Sequence, residues 1–351
     1  MRGVRPWLAF AITAALLGAA ASWRNGTISR NTTTTKTTAK LVLLSAPRSG
    51  STLLVEMLRA PASDACPRTH DDVLMHGEPF HAGQEKGDST FHASDLRASA
   101  KDGFAGNVSV RDDVFGRRRS RPGELLDAIA ATASTRAPVV GFKLFSKHLE
   151  WENLPVFLEW ATHVVLLQRS NALEQYISIC LAQKSNVWAT YADSARVKVR
   201  ELDVAISPEL FEAWRDHEAA FAAYARRAVA SLDADDRPAL LELWYEADLC
   251  APERRRGALA KVERFLGVPG GRFRHDAPHL PVKQHAHNVF ESVSNWAAVA
   301  NSTAGAPYAT ATSCSSRRRL ADDTADAAAA RKKHLKELQG HHCKEGGPGW
   351  L

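Results

Sequence analysis

Two kinds of apolar pattern alternate along the chain. Short, mainly apolar runs occur at residues 41–44, 139–145, 161–167 and 239–245. Between them apolar positions recur at helical spacing over 53–58, 124–133, 208–232 and 253–266, and from the end of the third run to Ile179. Runs of this length predict strands, and runs that do not alternate with polar residues predict strands buried on both faces, as in a parallel sheet. Strands that alternate with helices predict an α/β fold, a parallel β-sheet flanked by helices on both faces, in a single domain over residues 41–300.

The pattern is interrupted in three places. Residues 61–123 are polar, contain glycine and show little periodicity, and the basic cluster Arg117, Arg118, Arg119 and Arg121 near their end reads as a solvated face, or else as a site for an anionic substrate. Residues 301–351 dissolve into Ser, Thr, Ala and basic residues, with one charged helical stretch over 325–338, and read as a largely disordered tail. At the other end, Arg2 and Arg5 precede an apolar stretch from Trp7 to Trp23 that stops at Arg24. Residues 1–24 therefore read as an uncleaved signal anchor crossing the membrane once, or else as a cleaved signal peptide. Residues 25–40, rich in Thr, Asn and Lys, read as a polar stem.

Positive charges ahead of an anchor stay cytoplasmic, so the body is expected in the secretory lumen. Four sequons, at Asn25, Asn31, Asn107 and Asn301, fit that placement. Five cysteines are too few and too scattered for a disulfide framework, although a bridge or two suits an oxidising lumen. No Cys/His spacing resembles a zinc site, and no metal is expected. A net charge of +6 suits an anionic ligand, an anionic polysaccharide or a membrane surface without choosing among them.

The candidate chemistry begins where the first strand ends. Pro47, Arg48, Ser49, Gly50, Ser51 and Thr52 separate that strand from a helix, a junction that aims free backbone N–H groups and the positive helix end at one point. The loop is suited to a phosphate or sulfate. It lacks the Gly-Lys pair of ATP-binding loops, and Arg48 supplies the charge instead.

Pro-Arg-Ser-Gly-Ser-Thr-Leu-Leu after a first strand resembles the 5′-phosphosulfate loop of sulfotransferases that use 3′-phosphoadenosine 5′-phosphosulfate (PAPS). The resemblance extends over about residues 41–300 and implies a P-loop-like fold. Arg169, Asn171, Gln175 and Ser178 form Arg-x-Asn-x-x-x-Gln-x-x-Ser, a pattern that resembles the bacterial sulfotransferases acting on trehalose, lipopolysaccharide or Nod factors. The spacing from Arg169 to Ser178 is one residue longer than in most cytosolic members. The resemblance implies that Arg169 and Ser178 bind the 3′-phosphate, and that Lys283 and Gln284 belong to a segment that closes over PAPS. It also implies that Glu78, in His76-Gly77-Glu78-Pro79-Phe80-His81, is the catalytic base, with His76 and His81 as rivals, and that Lys143, in Gly141-Phe142-Lys143, faces acceptor or sulfate. Tyr245-Glu246 and residues 265–268 match as packing and scaffold.

The function expected on this basis is transfer of a sulfuryl group from PAPS to a hydroxyl of a carbohydrate acceptor, by a type II protein of the Golgi membrane or a secreted form of it. No nucleic-acid partner is expected. Two other classes compete. A P-loop kinase or NTPase conflicts with the missing Gly-Lys pair and with the lack of an evident magnesium-binding aspartate on a strand. A catalytically inactive glycan-binding protein on the same fold conflicts with the presence of Arg48, Glu78 and Arg169 together. The acceptor and the oligomeric state are not legible.

Overall fold

The structure is a computed structural model that describes residues 38–59, 73–80, 118, 120–131, 139–188, 202–268, 270–271, 273–276, 280–281, 289–302 and 304–309. Five strands, β1 (Ala39–Ser45), β2 (Val73–Met75), β3 (Val139–Phe145), β4 (His163–Gln168) and β5 (Ala239–Trp244), form one sheet in the order β2-β3-β1-β4-β5. Every neighbouring pair is parallel. The helices that shape the body are α1 (Ser51–Arg59), α2 (Pro122–Ala131), α3 (Leu154–Trp160), α4 (Ala172–Ser185), α5 (Pro208–Ser231) and α6 (Pro252–Leu266), followed by the short α7 (Trp296–Ala300) and α8 (Ala306–Ala309). The expected α/β class, with a single parallel sheet and helices on both faces, is the observed one.

Side chains that are adjacent in a strand point to opposite faces, and β1 shows how this sorts the core. Leu41 and Leu43 join one cluster with Val165, Leu167 and Leu243, covered by α1 and α6. Val42 and Leu44 join the other with Phe142, Leu144, Val164 and Leu166, covered by α2, α3 and α5. Both faces of the central strands are therefore apolar, which is why these strands read as mainly apolar runs. At the edge, β5 is covered less completely; Glu242 projects from it and pairs with Arg226 of α5 at 2.7 Å. A third cluster joins α4 and the start of α5 to Phe290, Val293, Val299 and Ala304, with Tyr308 packed against it. The packed body thus continues as far as α8.

Three features differ from the sequence expectations or lie outside the described residues. β2 falls inside the polar stretch that showed no strand pattern, because three residues are too few to display a period; Arg59 of α1 holds it by donating from Nε to the Met75 carbonyl at 3.1 Å. Arg118, in the cluster expected on a solvated face, is 1% exposed. No described helix is long and apolar enough to cross a membrane, and the expected anchor at residues 1–24 lies outside the described residues, as does most of the expected tail.

The strand order places β1 between β3 and β4, so the connections leaving β1 and β3 run to opposite sides. That is the switch point at which α/β sheets bind ligands, at the carboxyl ends of the strands. The β1–β3 pairing is unusually close at Gly141, where a Cβ would stand 2.4 Å from the Leu41 carbonyl oxygen. Gly141→Ala must push the two strands apart and is expected to cost at least about 1–3 kcal/mol, seen as a lower midpoint in urea denaturation.

Candidate active site

The loop from Pro47 to Gly50 is bent by two residues in the left-handed region, Arg48 at φ 64° and Gly50 at φ 89°. Glycine is required at the second of these, both for its φ and because a Cβ would lie 2.5 Å from the Tyr245 ring. The loop's carbonyls are held from one side. Gln175 Nε2 donates to the Pro47 carbonyl at 2.7 Å, and Arg169 Nη1 donates to the Arg48 carbonyl at 3.2 Å. In a trans peptide the N–H points opposite to the C=O, so these bonds turn the N–H groups of Arg48 and Ser49 away from Gln175 and Arg169. The first intrahelical bond of α1 runs from Leu54 N to Gly50 O, and the N–H groups of Ser51, Thr52 and Leu53 precede it. Ser49 Oγ is buried without a hydrogen-bond partner among the described residues. Free donors at the positive end of a helix, with an unpartnered buried hydroxyl among them, fit an anionic group.

Two arginines give this corner its charge. The Arg48 side chain donates from Nε to Ser178 Oγ at 2.9 Å and from Nη1 to the Trp188 carbonyl. Burial, with a further contribution from the nearby Arg169 charge, lowers its pKa to about 10. Arg169 is compensated. Glu174 lies 2.9 Å from it and Glu246 3.0 Å, and its guanidinium rests over the Tyr245 ring at 4.9 Å. Burial alone would lower the Arg169 pKa, but Glu174, Tyr245 and Glu246 outweigh it and raise the value. Glu246 also accepts from the Ser170 backbone N–H at 2.8 Å, which ties the turn after β5 to the end of β4.

The second half of the site comes from β2 and β3. The chain leaving β2 continues the ladder: His76 N donates to Gly141 O at 2.8 Å and Lys143 N to Gly77 O at 2.7 Å. This delivers Glu78 to Lys143. The Lys143 ammonium, on a side chain only 8% exposed, lies 2.7 Å from Glu78 Oε1 and donates to Thr52 Oγ1 at 3.0 Å. Glu78 Oε2 in turn lies 3.7 Å from His148 Nε2. One ammonium therefore connects a carboxylate that can take a proton to the first turn of α1.

Of the residues singled out from the sequence, the structure brings Glu78, Lys143 and Thr52 together, and Arg48, Ser178, Arg169 and Gln175 together around the loop. Arg169 and Ser178 have separate partners here, Glu174 with Glu246 for the one and Arg48 for the other. His76 is buried at the end of β2. His81, Lys283 and Gln284 lie outside the described residues. Sequence reasoning missed Glu174 as a partner of Arg169, and it missed His148 and Trp188. For His148 the available signal was its place just past the carboxyl end of a strand. Among the described residues no cluster of metal-ligating side chains occurs.

Residues 40–208 match the model of the Stf0 sulphotransferase family. The match covers just under half of the chain and includes the loop, Glu78, Lys143, Arg169 and Ser178, and it supports a sulfotransferase domain there. No curated protein matches the chain. Among solved structures the chain is similar to the sulfotransferase domain from the Synechococcus PCC 7002 olefin synthase, with 14% identity, 88% of this chain and 98% of that chain covered, and a TM-score of 0.33.

Two outcomes follow from this electrostatic arrangement. Arg169→Met leaves Glu174 buried without its cation and is expected to cost about 3–5 kcal/mol in urea denaturation. The second concerns Glu218 of α5, which accepts from Ser146 Oγ at 2.8 Å just past β3. Burial raises its pKa from 4.5 to about 7, against smaller opposing effects of Ser146 and Lys147. The folded state therefore holds this proton where the unfolded state has lost it, and the contribution of Glu218 to stability falls as pH rises from about 4.5 to about 7. Glu218→Gln is expected to flatten that part of the stability profile, with a gain on the order of 3 kcal/mol above pH 7, measured by urea denaturation across pH.

Proposed function

We propose that the chain is a PAPS-dependent sulfotransferase that moves a sulfuryl group to a hydroxyl of a carbohydrate acceptor. The observation that carries this reading is the Lys143 ammonium standing between Glu78 and Thr52, which sets a candidate base beside an anion-binding helix start. The family match over the same residues supports it. Carbohydrate as acceptor rests on the resemblance of the Arg169 to Ser178 pattern to bacterial carbohydrate sulfotransferases.

The loop fits the phosphosulfate of PAPS on three counts: free first-turn N–H groups, the unpartnered Ser49 hydroxyl, and an Arg48 charge destabilised by burial and by Arg169. PAPS supplies the activated sulfuryl group, and negative charge grows on the bridging oxygen as that group departs. The N–H groups of α1, Arg48 and Lys143 provide fixed positive potential for that charge. Glu78 takes the proton of the acceptor hydroxyl, and its partly exposed carboxylate, unlike buried His76, is open to an incoming group. Ser178 orients Arg48. Arg169, held by its carboxylates and by Tyr245, fixes the loop through the Arg48 carbonyl, and any contact it makes with the 3′-phosphate adds to that task.

A secretory, Golgi-membrane location is part of the proposal. It is supported by the basic and apolar N-terminal sequence, by the exposed Asn301 sequon and by Cys250, which is disulfide-bonded, a state that persists in oxidising compartments.

The full chain is expected to be stabilised against heat by 3′,5′-ADP and to transfer ³⁵S-labelled sulfate from PAPS in a screen of carbohydrate acceptors. Glu78→Gln is expected to keep the 3′,5′-ADP shift and lose roughly 10²–10⁴-fold in turnover. Stabilisation by ATP with magnesium and not by 3′,5′-ADP would overturn the reading in favour of a kinase. A 3′,5′-ADP shift without transfer to any glycan, lipid or tyrosyl acceptor would leave a binding protein.

A further inference from the structure

His148 ends the single 3₁₀ turn Ser146–His148 that follows β3, and its side chain is 1% exposed. Its two ring nitrogens meet different groups. The Phe145 backbone N–H donates to Nδ1 at 3.3 Å, while Nε2 lies 3.7 Å from Glu78 Oε2. In a neutral imidazole the nitrogen that accepts carries no proton, so the N–H belongs to Nε2 and faces Glu78. The Phe145 ring packs against the imidazole at 4.8 Å between centroids and restricts its rotation.

The two oxygens of Glu78 thus face different groups: Oε1 pairs with the Lys143 ammonium at 2.7 Å, while Oε2 lies 3.7 Å from the buried His148 Nε2, beyond hydrogen-bond distance. A carboxylate gripped at one oxygen can pivot about that contact; one gripped at both has its plane set. Contacts of this kind often stand long before substrate engages and shorten on reaction.

We propose that His148 is a positioning residue for Glu78, its Nε2–H directing the second carboxylate oxygen so that the base meets the acceptor hydroxyl at a fixed angle. This rests on the sulfotransferase reading above. Among the described residues, the charged groups near the pair include Lys143 on β3, Arg118 and Glu150, which line a small cavity bordered by His148, and Glu218 of α5, which accepts from Ser146 at the start of the same turn.

Two substitutions separate the roles. His148→Gln puts an amide donor where Nε2 stands; His148→Phe keeps a ring and removes both nitrogens. With PAPS and the carbohydrate acceptor found by the screen, His148→Phe is expected to lower kcat roughly 10–100-fold, with KM for PAPS unchanged. It is also expected to move the acidic limb of the pH–rate profile to higher pH, because a donor to the carboxylate favours its charged form. His148→Gln is expected to restore most of kcat and return the limb. An unchanged limb with kcat within about twofold of wild type in His148→Phe overturns the proposal. So does full turnover in Glu78→Gln with none in either His148 variant, which would make the imidazole the base.

A wild type that transfers sulfate to no acceptor overturns the sulfotransferase reading instead, and the pair is then tested without turnover. In ¹⁵N-histidine NMR of the full chain, His148 is expected in the Nε2–H form, with a pKa that falls in Glu78→Gln. An Nδ1–H tautomer, or a pKa indifferent to Glu78, overturns the contact, whether or not His148→Phe folds.

Discussion

The site depends on how closely and in what register β1 and β3 lie together. Gly141 admits the Leu41 carbonyl where any larger residue would force the strands apart, and the parallel register then sets Lys143 opposite Leu43. Two residues beyond Leu43 the first strand ends at Ser45, and the loop from Pro47 follows. On the other side of β3, Met75 pairs with Gly141, so that the chain leaving β2 brings Glu78 to the same level. Lys143 is therefore within reach of both Thr52 and Glu78 as a consequence of register, and a slip of one residue would send its side chain to the opposite face.

Charge balance distinguishes the two arginines of the loop region. Arg169 is neutralised by Glu174 and Glu246, stacked on Tyr245, and serves to hold the Arg48 carbonyl. Arg48 feels that same arginine as a repulsive neighbour, and the identified oxygens it meets, Ser178 Oγ and the Trp188 carbonyl, are neutral. A dianionic ligand near the loop would relieve both the repulsion and the cost of burial. The loop's geometry is thus maintained by one arginine, while in the proposed function the other arginine and the helix N–H groups receive the anion.

Much of this was legible in the sequence, and for physical reasons. The central strands are apolar on both faces and so read as mainly apolar runs, and β3 was bounded correctly at Val139 and Phe145. The loop was legible because its turn residues and serines stand between a strand pattern and a helix pattern. The Glu78 side was not. A strand of three residues shows no period, so the route by which Glu78 reaches Lys143 was hidden in a polar stretch, and Glu78 was singled out by resemblance alone. Ion pairs over long sequence separations, such as Arg169 with Glu246, leave no local pattern either. Arg118 misled because an arginine among arginines looks solvated whether or not the fold buries it.

The two halves of the site differ in what fixes them. The anion loop is anchored from β4, α4 and the turn after β5 by Gln175, Arg169 and the Tyr245 ring, so several elements must move before it changes shape. Glu78 hangs from the carboxyl end of an edge strand held by three residue pairs, two further backbone bonds and Arg59. Short edge segments with few buried contacts open more readily than central strands. The carboxylate therefore needs its own side-chain anchors, and Lys143 supplies one by joining Glu78 to Thr52, which makes the alignment of Glu78 with the helix start a property of one buried ammonium.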